Sequence, residues 1–136
     1  MLVEHVVVLG HSGCGGVRAL VENAPEVPTG DFVAQWIAIA NPARERAFAV
    51  AAKEQQETLR HICELEVVKV SLVNLMTFPW VAERVSRNAL ALHGWYFDLE
   101  KGDLLRCDRA AGKFTPVGCN GLIPSLQPAR LQHGKG

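Results

Sequence analysis

The sequence predicts an α/β fold: a mostly parallel sheet flanked by helices, with a C-terminal hairpin. Three observations carry this reading. Val6-Val7-Val8-Leu9 is apolar at every position and mostly β-branched, the pattern of a strand covered on both faces in a parallel sheet. The middle of the chain repeats its apolar residues at steps of three and four, the helical period. From Leu90 to Val117 the pattern returns to strand chemistry, cut by two turn signals.

Taken in order, the strand Val6 to Leu9 runs into the turn Gly10 to Gly16, and Val17-Arg18-Ala19-Leu20-Val21 opens a helix that ends by Pro28. Thr29-Gly30-Asp31 restarts the chain, and Phe32, Val33, Trp36, Ile37 and Ala40 fall on one helical stripe. Asn41-Pro42 reads as an N-cap followed by proline at the first helical position, starting a long helix to about Met76. In it Ile62, Leu65, Val68, Leu72 and Leu75 form a stripe that Val67, Val70 and Val73 widen, so this helix is expected to be mostly buried. Thr77-Phe78-Pro79 breaks it, and Trp80 to Arg87 makes a short helix. Leu90 to Leu99 is a strand, Glu100-Lys101-Gly102-Asp103 a hairpin turn and Leu104 to Cys107 the return strand. Ala110-Ala111-Gly112-Lys113 turns again into a short strand, Phe114 to Val117, and a loosely held tail follows from Asn120.

The 136 residues suit one domain, residues 1–136, of which roughly two-thirds of the unfolded surface can be buried. Fourteen basic side chains balance fourteen acidic ones, which argues against a nucleic-acid or anionic-membrane partner. No apolar run reaches the roughly 18 residues of a membrane span, and the first residues lack the basic region of a signal peptide. Cysteines at 14, 63, 107 and 119 do not form a disulfide framework, so a cytoplasmic location with free thiols is expected. One structural tension stands out. A strand apolar on both faces normally has a neighbour on each side, yet the other strands all lie in the last third of the chain. A neighbour of Val6 to Leu9 is missing.

The turn itself invites chemistry. Its glycines at 10, 13, 15 and 16 fit neither the dinucleotide spacing nor the P-loop, so a phosphate cradle is the weaker reading. His11 and Cys14 instead offer an imidazole and a thiolate at the carboxyl end of a parallel strand, where open α/β sheets bind ligands. The start of a helix favours a thiolate, and the glycines permit the tight turn. Two ligands do not complete a site, since a catalytic zinc takes three from protein and one water. Cys63 and Cys107 read as small buried hydrophobes, and nothing positions Cys119. His5 reads as structural, His93 as a satisfied core histidine, His61 as a solvated surface residue, and Trp36, Trp80 and Trp95 as core or interface.

The stretch Glu4-His5-Val6-Val7-Val8-Leu9-Gly10-His11-Ser12-Gly13-Cys14-Gly15-Gly16-Val17 resembles the zinc-binding segment of the β-class carbonic anhydrases. Gln35-Trp36, Ser71 to Leu75, Thr77 to Val81 and Ala91 to Asp98 are similar to later segments of that family, in the same order, so the resemblance runs from residue 2 to about 117. It implies zinc-dependent reversible hydration of carbon dioxide to bicarbonate and a proton, in a dimer or higher homo-oligomer. It places His11 and Cys14 on the family's histidine and second cysteine ligands, with zinc as cofactor. The first cysteine belongs to a Cys-x-Asp-x-Arg motif on a neighbouring strand, and this sequence contains no such motif. No catalytic residue can therefore be assigned, because the Asp and Arg belong to that motif. The resemblance thus implies the carboxyl-terminal part of a family domain, its amino-terminal strand or strands missing, which binds zinc poorly and has little activity. A non-enzymatic remnant or interaction module on the same scaffold is the alternative. Phe97 stands where some relatives place a tyrosine of a second bicarbonate site, with Tyr96 adjacent, which argues against that regulation.

Overall fold

The computed structural model describes residues 3–23, 32–51 and 56–118. The elements run β1 (His5–His11), α1 (Gly15–Asn23), α2 (Phe32–Val50), α3 (Gln56–Met76), α4 (Pro79–Ser86), β2 (Ala91–Asp98), β3 (Asp103–Asp108) and β4 (Lys113–Pro116). They form one four-stranded sheet in the order β1-β2-β3-β4. β1 pairs with β2 in parallel, Val8 beside Gly94 and Gly10 beside Tyr96. The β2–β3 and β3–β4 pairs are antiparallel. The α/β class holds, but the sheet is mixed where the sequence suggested a mostly parallel one.

The parallel pair alternates in burial. Leu92, Gly94, Tyr96 and Asp98 of β2 face the core, together with Val6, Val8 and Gly10 of β1, and α3 lies across them. Val68 and Leu72 of α3 join Val81, Leu90 and Leu92 in one buried cluster. Behind α3 a second cluster packs Val17, Leu20 and Val21 of α1 against Ile37, Ala40 and Ala47 of α2 and Cys63 of α3. β1 departs from expectation on its other face, where Val7 is 43% and Leu9 60% exposed. Among the described residues β1 pairs only with β2, so its other edge carries unpaired backbone groups.

Two helix boundaries differ from the sequence reading. Pro42 lies inside α2 instead of opening a helix, and the long helix ends at Val50, with α3 beginning at Gln56. Proline within a helix costs about 3 kcal/mol in a lost bond and a ring clash. The buried stripe Ile37, Ala40, Ala43, Ala47 runs unbroken across it, and that burial outweighs the local preference. Asn41 donates to Glu45 one turn on, a helix-surface pair and not a cap. Val73 points to solvent, so α3 is less widely buried than its valines suggest, and Trp80 of α4 is exposed and not core. The break at Pro25 to Asp31, Cys119, the tail and the side chain of Trp36 lie outside the described residues. Among the described residues no single helix is long and apolar enough to cross a membrane.

The predicted hairpin turns form, and both use one device. The carboxylate of Asp98 accepts the N–H groups of Glu100 and Lys101, and that of Asp108 accepts those of Ala110 and Ala111. Gly102 and Gly112 then take the left-handed conformation that closes each turn. The Lys101 N–H, its ammonium at 3.2 Å and the Glu100 N–H hold the Asp98 carboxyl below its ordinary 3.8, against the opposing effect of burial. A depressed carboxyl stabilises the fold above its unfolded value and ceases to do so as pH falls through the folded value. In an acid titration followed by amide shifts, Glu100 and Lys101 should therefore move with a midpoint below 3.8, and the step should vanish in Asp98→Ala. A midpoint at or above that value would show that these bonds do not hold the ionised form.

Candidate metal centre

β1 ends at His11, and the turn Ser12-Gly13-Cys14 leads into α1. The structure brings both sequence-predicted ligands onto this turn, at the carboxyl end of a parallel strand. Cys14 stands at the helix entrance, its carbonyl accepting the Arg18 N–H at 2.9 Å. Its thiol is free and half-buried, packed against the α1–α2 cluster. His11 is exposed, and its Nδ1 lies 2.9 Å from the Ser12 carbonyl oxygen. A carbonyl can only accept, so Nδ1 is the donor, and in the neutral ring the lone pair is then on Nε2. A metal-ligating histidine needs this arrangement, one ring nitrogen donating to an acceptor and the other left for the metal.

The turn is tied down at several points. The Ser12 N–H donates to the Phe97 carbonyl at 3.0 Å, and the Leu99 N–H donates to Ser12 Oγ at 2.8 Å, fastening its start to the end of β2. Gly13 takes φ +69°, a conformation that a side chain resists. Beyond it the Cys14 N–H donates to Oε1 of Glu64, at 3.3 Å, from α3. Tyr96 Oη donates to Oε2 of the same carboxylate at 2.7 Å and lies 3.2 Å from His61 Nδ1. Burial and the Glu64 carboxylate push the Tyr96 hydroxyl well above its ordinary range. An open cleft of about 420 Å³ runs beside the turn, lined by Ser12, Gly13, His61, Glu64, Tyr96 and Asp98 among others.

The sequence reading missed Glu64 and took His61 as merely solvated, whereas its ring reaches Tyr96. One signal was available for Glu64. It precedes Val68 by four and Leu72 by eight, so it is an acidic residue on the buried face of a helix. The remaining candidates sit elsewhere. His93 is not a core histidine: it is half-buried on the face opposite α3, where its Nε2 meets His5 Nδ1 at 3.0 Å, and burial, then His5 and Arg106, lower its pKa. Cys63 is fully buried and burial pushes its thiol up to about 11, while Cys107 is buried in β3 with its pKa raised the same way. Among the described residues no group of three or more His, Cys, Asp or Glu side chains converges as a metal site. His11 and Cys14 fit zinc in ligand type, as two of the partners it requires.

Comparison with known proteins gives the family and the fold. A family model described as carbonic anhydrase matches residues 1–104. "Beta carbonic anhydrase 3" of Arabidopsis thaliana is 40% identical over 103 residues, covering 74% of this chain and 40% of the relative. "Beta carbonic anhydrase 5, chloroplastic" of the same plant is 34% identical over 96 residues, covering 71% and 32%. The solved structure of the β-carbonic anhydrase CcaA superposes with a TM-score of 0.77 at 25% identity, over 87% of this chain and 53% of that one. The β-carbonic anhydrase CafA of Aspergillus fumigatus gives 0.63 at 30% identity, over 79% and 50%. The chain thus spans about a third to two-fifths of the curated relatives' length and about half of these solved chains.

Proposed function

This chain belongs to the β-carbonic anhydrase family, and from that premise we propose that it carries part of a zinc site for the reversible hydration of carbon dioxide. The observation that carries the reading is the state of His11. Its Nδ1 proton is committed to the Ser12 carbonyl, which leaves Nε2 free to bind a metal from the turn that also bears Cys14. When bound, zinc lowers the pKa of water from about 16 to about 7 and so supplies a nucleophile at neutral pH. The chain's own residues hold and orient: His11 and Cys14 grip the ion, and the Ser12 bonds to Phe97 and Leu99 fix the turn to the sheet.

The third protein ligand is not assigned within these 136 residues. We place it on a further strand paired with the free edge of β1, a position supported by that edge and by the exposed Val7 and Leu9. A homo-oligomer fits the same exposed apolar face.

Zinc content and stopped-flow hydration test this directly. The chain alone should retain zinc weakly and hydrate carbon dioxide little. The same chain joined to a strand bearing Cys-x-Asp-x-Arg should hold about one zinc and become active. Robust hydration by the 136-residue chain alone would overturn the two-ligand reading. A joined protein that folds yet gains neither zinc nor activity would point to a scaffold without the enzyme.

A further inference from the structure

Cys14 is the least anchored of the two proposed ligands by local bonds. The tethers to Phe97 and Leu99 both act on Ser12, and the left-handed Gly13 separates them from Cys14. The Cys14 N–H has its acceptor on another element altogether, Glu64 of α3.

Glu64 is only 7% exposed. A carboxylate costs several kcal/mol to bury unless its oxygens find donors. Here two donors converge on it from different elements, the Cys14 N–H on Oε1 and the Tyr96 hydroxyl on Oε2. A group that only accepts is what two such donors require. The approach of α3 makes the contact possible. A Cβ built on Gly10 would lie 2.7 Å from Val68 Cγ2, and one on Gly94 would lie 2.7 Å from Leu72 Cδ1. Glycine at both sites lets the helix settle onto β1 and β2 closely enough for Glu64 to reach the turn.

We propose that Glu64 is a positioning residue for the metal turn, setting through the Cys14 amide the backbone from which the Cys14 thiol projects. This rests on the reading of Cys14 as a metal ligand. Loss of such an outer partner costs about 10–100-fold in metal affinity. Tyr96 has a different share: it satisfies the other carboxylate oxygen and fills core, and it meets the turn at the Ser12 hydroxyl and not at the Cys14 amide.

The test is a cadmium titration of the full chain, followed by ultraviolet thiolate-to-metal absorption, with hydrogen exchange of the Cys14 amide measured alongside. Cys14→Ser should abolish the absorption. Glu64→Ala should weaken cadmium binding about 10–100-fold and expose the Cys14 amide to exchange. Glu64→Gln should restore most of both, because its carbonyl can still accept from Cys14 while Tyr96 turns its proton to His61. Tyr96→Phe should lower the melting temperature while leaving cadmium affinity within a few-fold, an outcome that a purely structural role for Glu64 would not give. Unchanged affinity in Glu64→Ala, with the absorption still dependent on Cys14, would overturn the inference and leave the ligand reading intact. If no absorption depends on Cys14, the ligand reading fails instead. Should Glu64→Ala not fold, equal weakening by Tyr96→Phe and Glu64→Gln would equally overturn the proposal.

Discussion

Replacing Gly94 by valine is expected to destabilise the fold by about 3 kcal/mol, a large part of the roughly 5–15 kcal/mol that holds a domain together. The reason is the closeness of three neighbours. The first added carbon alone would sit 2.7 Å from Leu72 Cδ1, 3.0 Å from Val68 Cγ1 and 3.2 Å from Cys107 Cβ. Leu72 can swing its terminal methyl aside, but Val68 is stiff about its first torsion and the Cys107 carbon is fixed to the backbone of β3. The helix must therefore lift from the sheet, and the buried cluster of Val68, Leu72, Val81, Leu90 and Leu92 opens with it. Gly94→Ala should cost less, about 1–2 kcal/mol, because only one atom is added. Denaturant midpoints of the two variants check this, and a valine variant as stable as the parent would show that α3 is not seated as described.

Cys14→Ser is expected to reduce zinc retention by more than the roughly 10–100-fold that follows from losing an outer partner, because a ligand itself is removed. His11→Ala should do the same. Neither change touches the two core clusters through a fully buried side chain, so both variants should keep the melting temperature of the metal-free parent within a few degrees. Zinc affinity from competition with a chromophoric chelator, read beside a thermal melt, separates loss of the ligand from loss of the fold. A Cys14→Ser chain with the parent's zinc affinity would remove Cys14 from the ligand set.

Local chemistry made some of this molecule legible and tertiary packing hid the rest. β1, the glycine turn, α1 and both hairpin turns follow from residues adjacent in sequence. Asp98 and Asp108 each close a turn with a glycine nearby, and such signals survive in any fold. Pro42 misled because its local cost is outweighed by the buried Ala40, Ala43 and Ala47 on either side of it. The all-apolar pattern of β1 predicted cover on both faces, and the exposed Val7 and Leu9 and the edge position of the strand among the described residues were not legible from it. The glycine turn showed two candidate ligand types, but not its supports. The Ser12 carbonyl that orients His11 is a backbone atom of no distinctive sequence. Glu64 lies fifty residues from Cys14 and meets it only because α3 crosses two glycines on neighbouring strands.

That His11 and Cys14 grip one zinc ion is tested most directly by zinc-edge X-ray absorption on the chain loaded with an equivalent of metal, beside the Cys14→Ser variant. The parent should show a sulfur at about 2.3 Å together with an imidazole nitrogen at about 2.0–2.1 Å, and the sulfur should disappear from the variant. A shell of oxygen and nitrogen alone in the parent, or a sulfur that persists in Cys14→Ser, would contradict it.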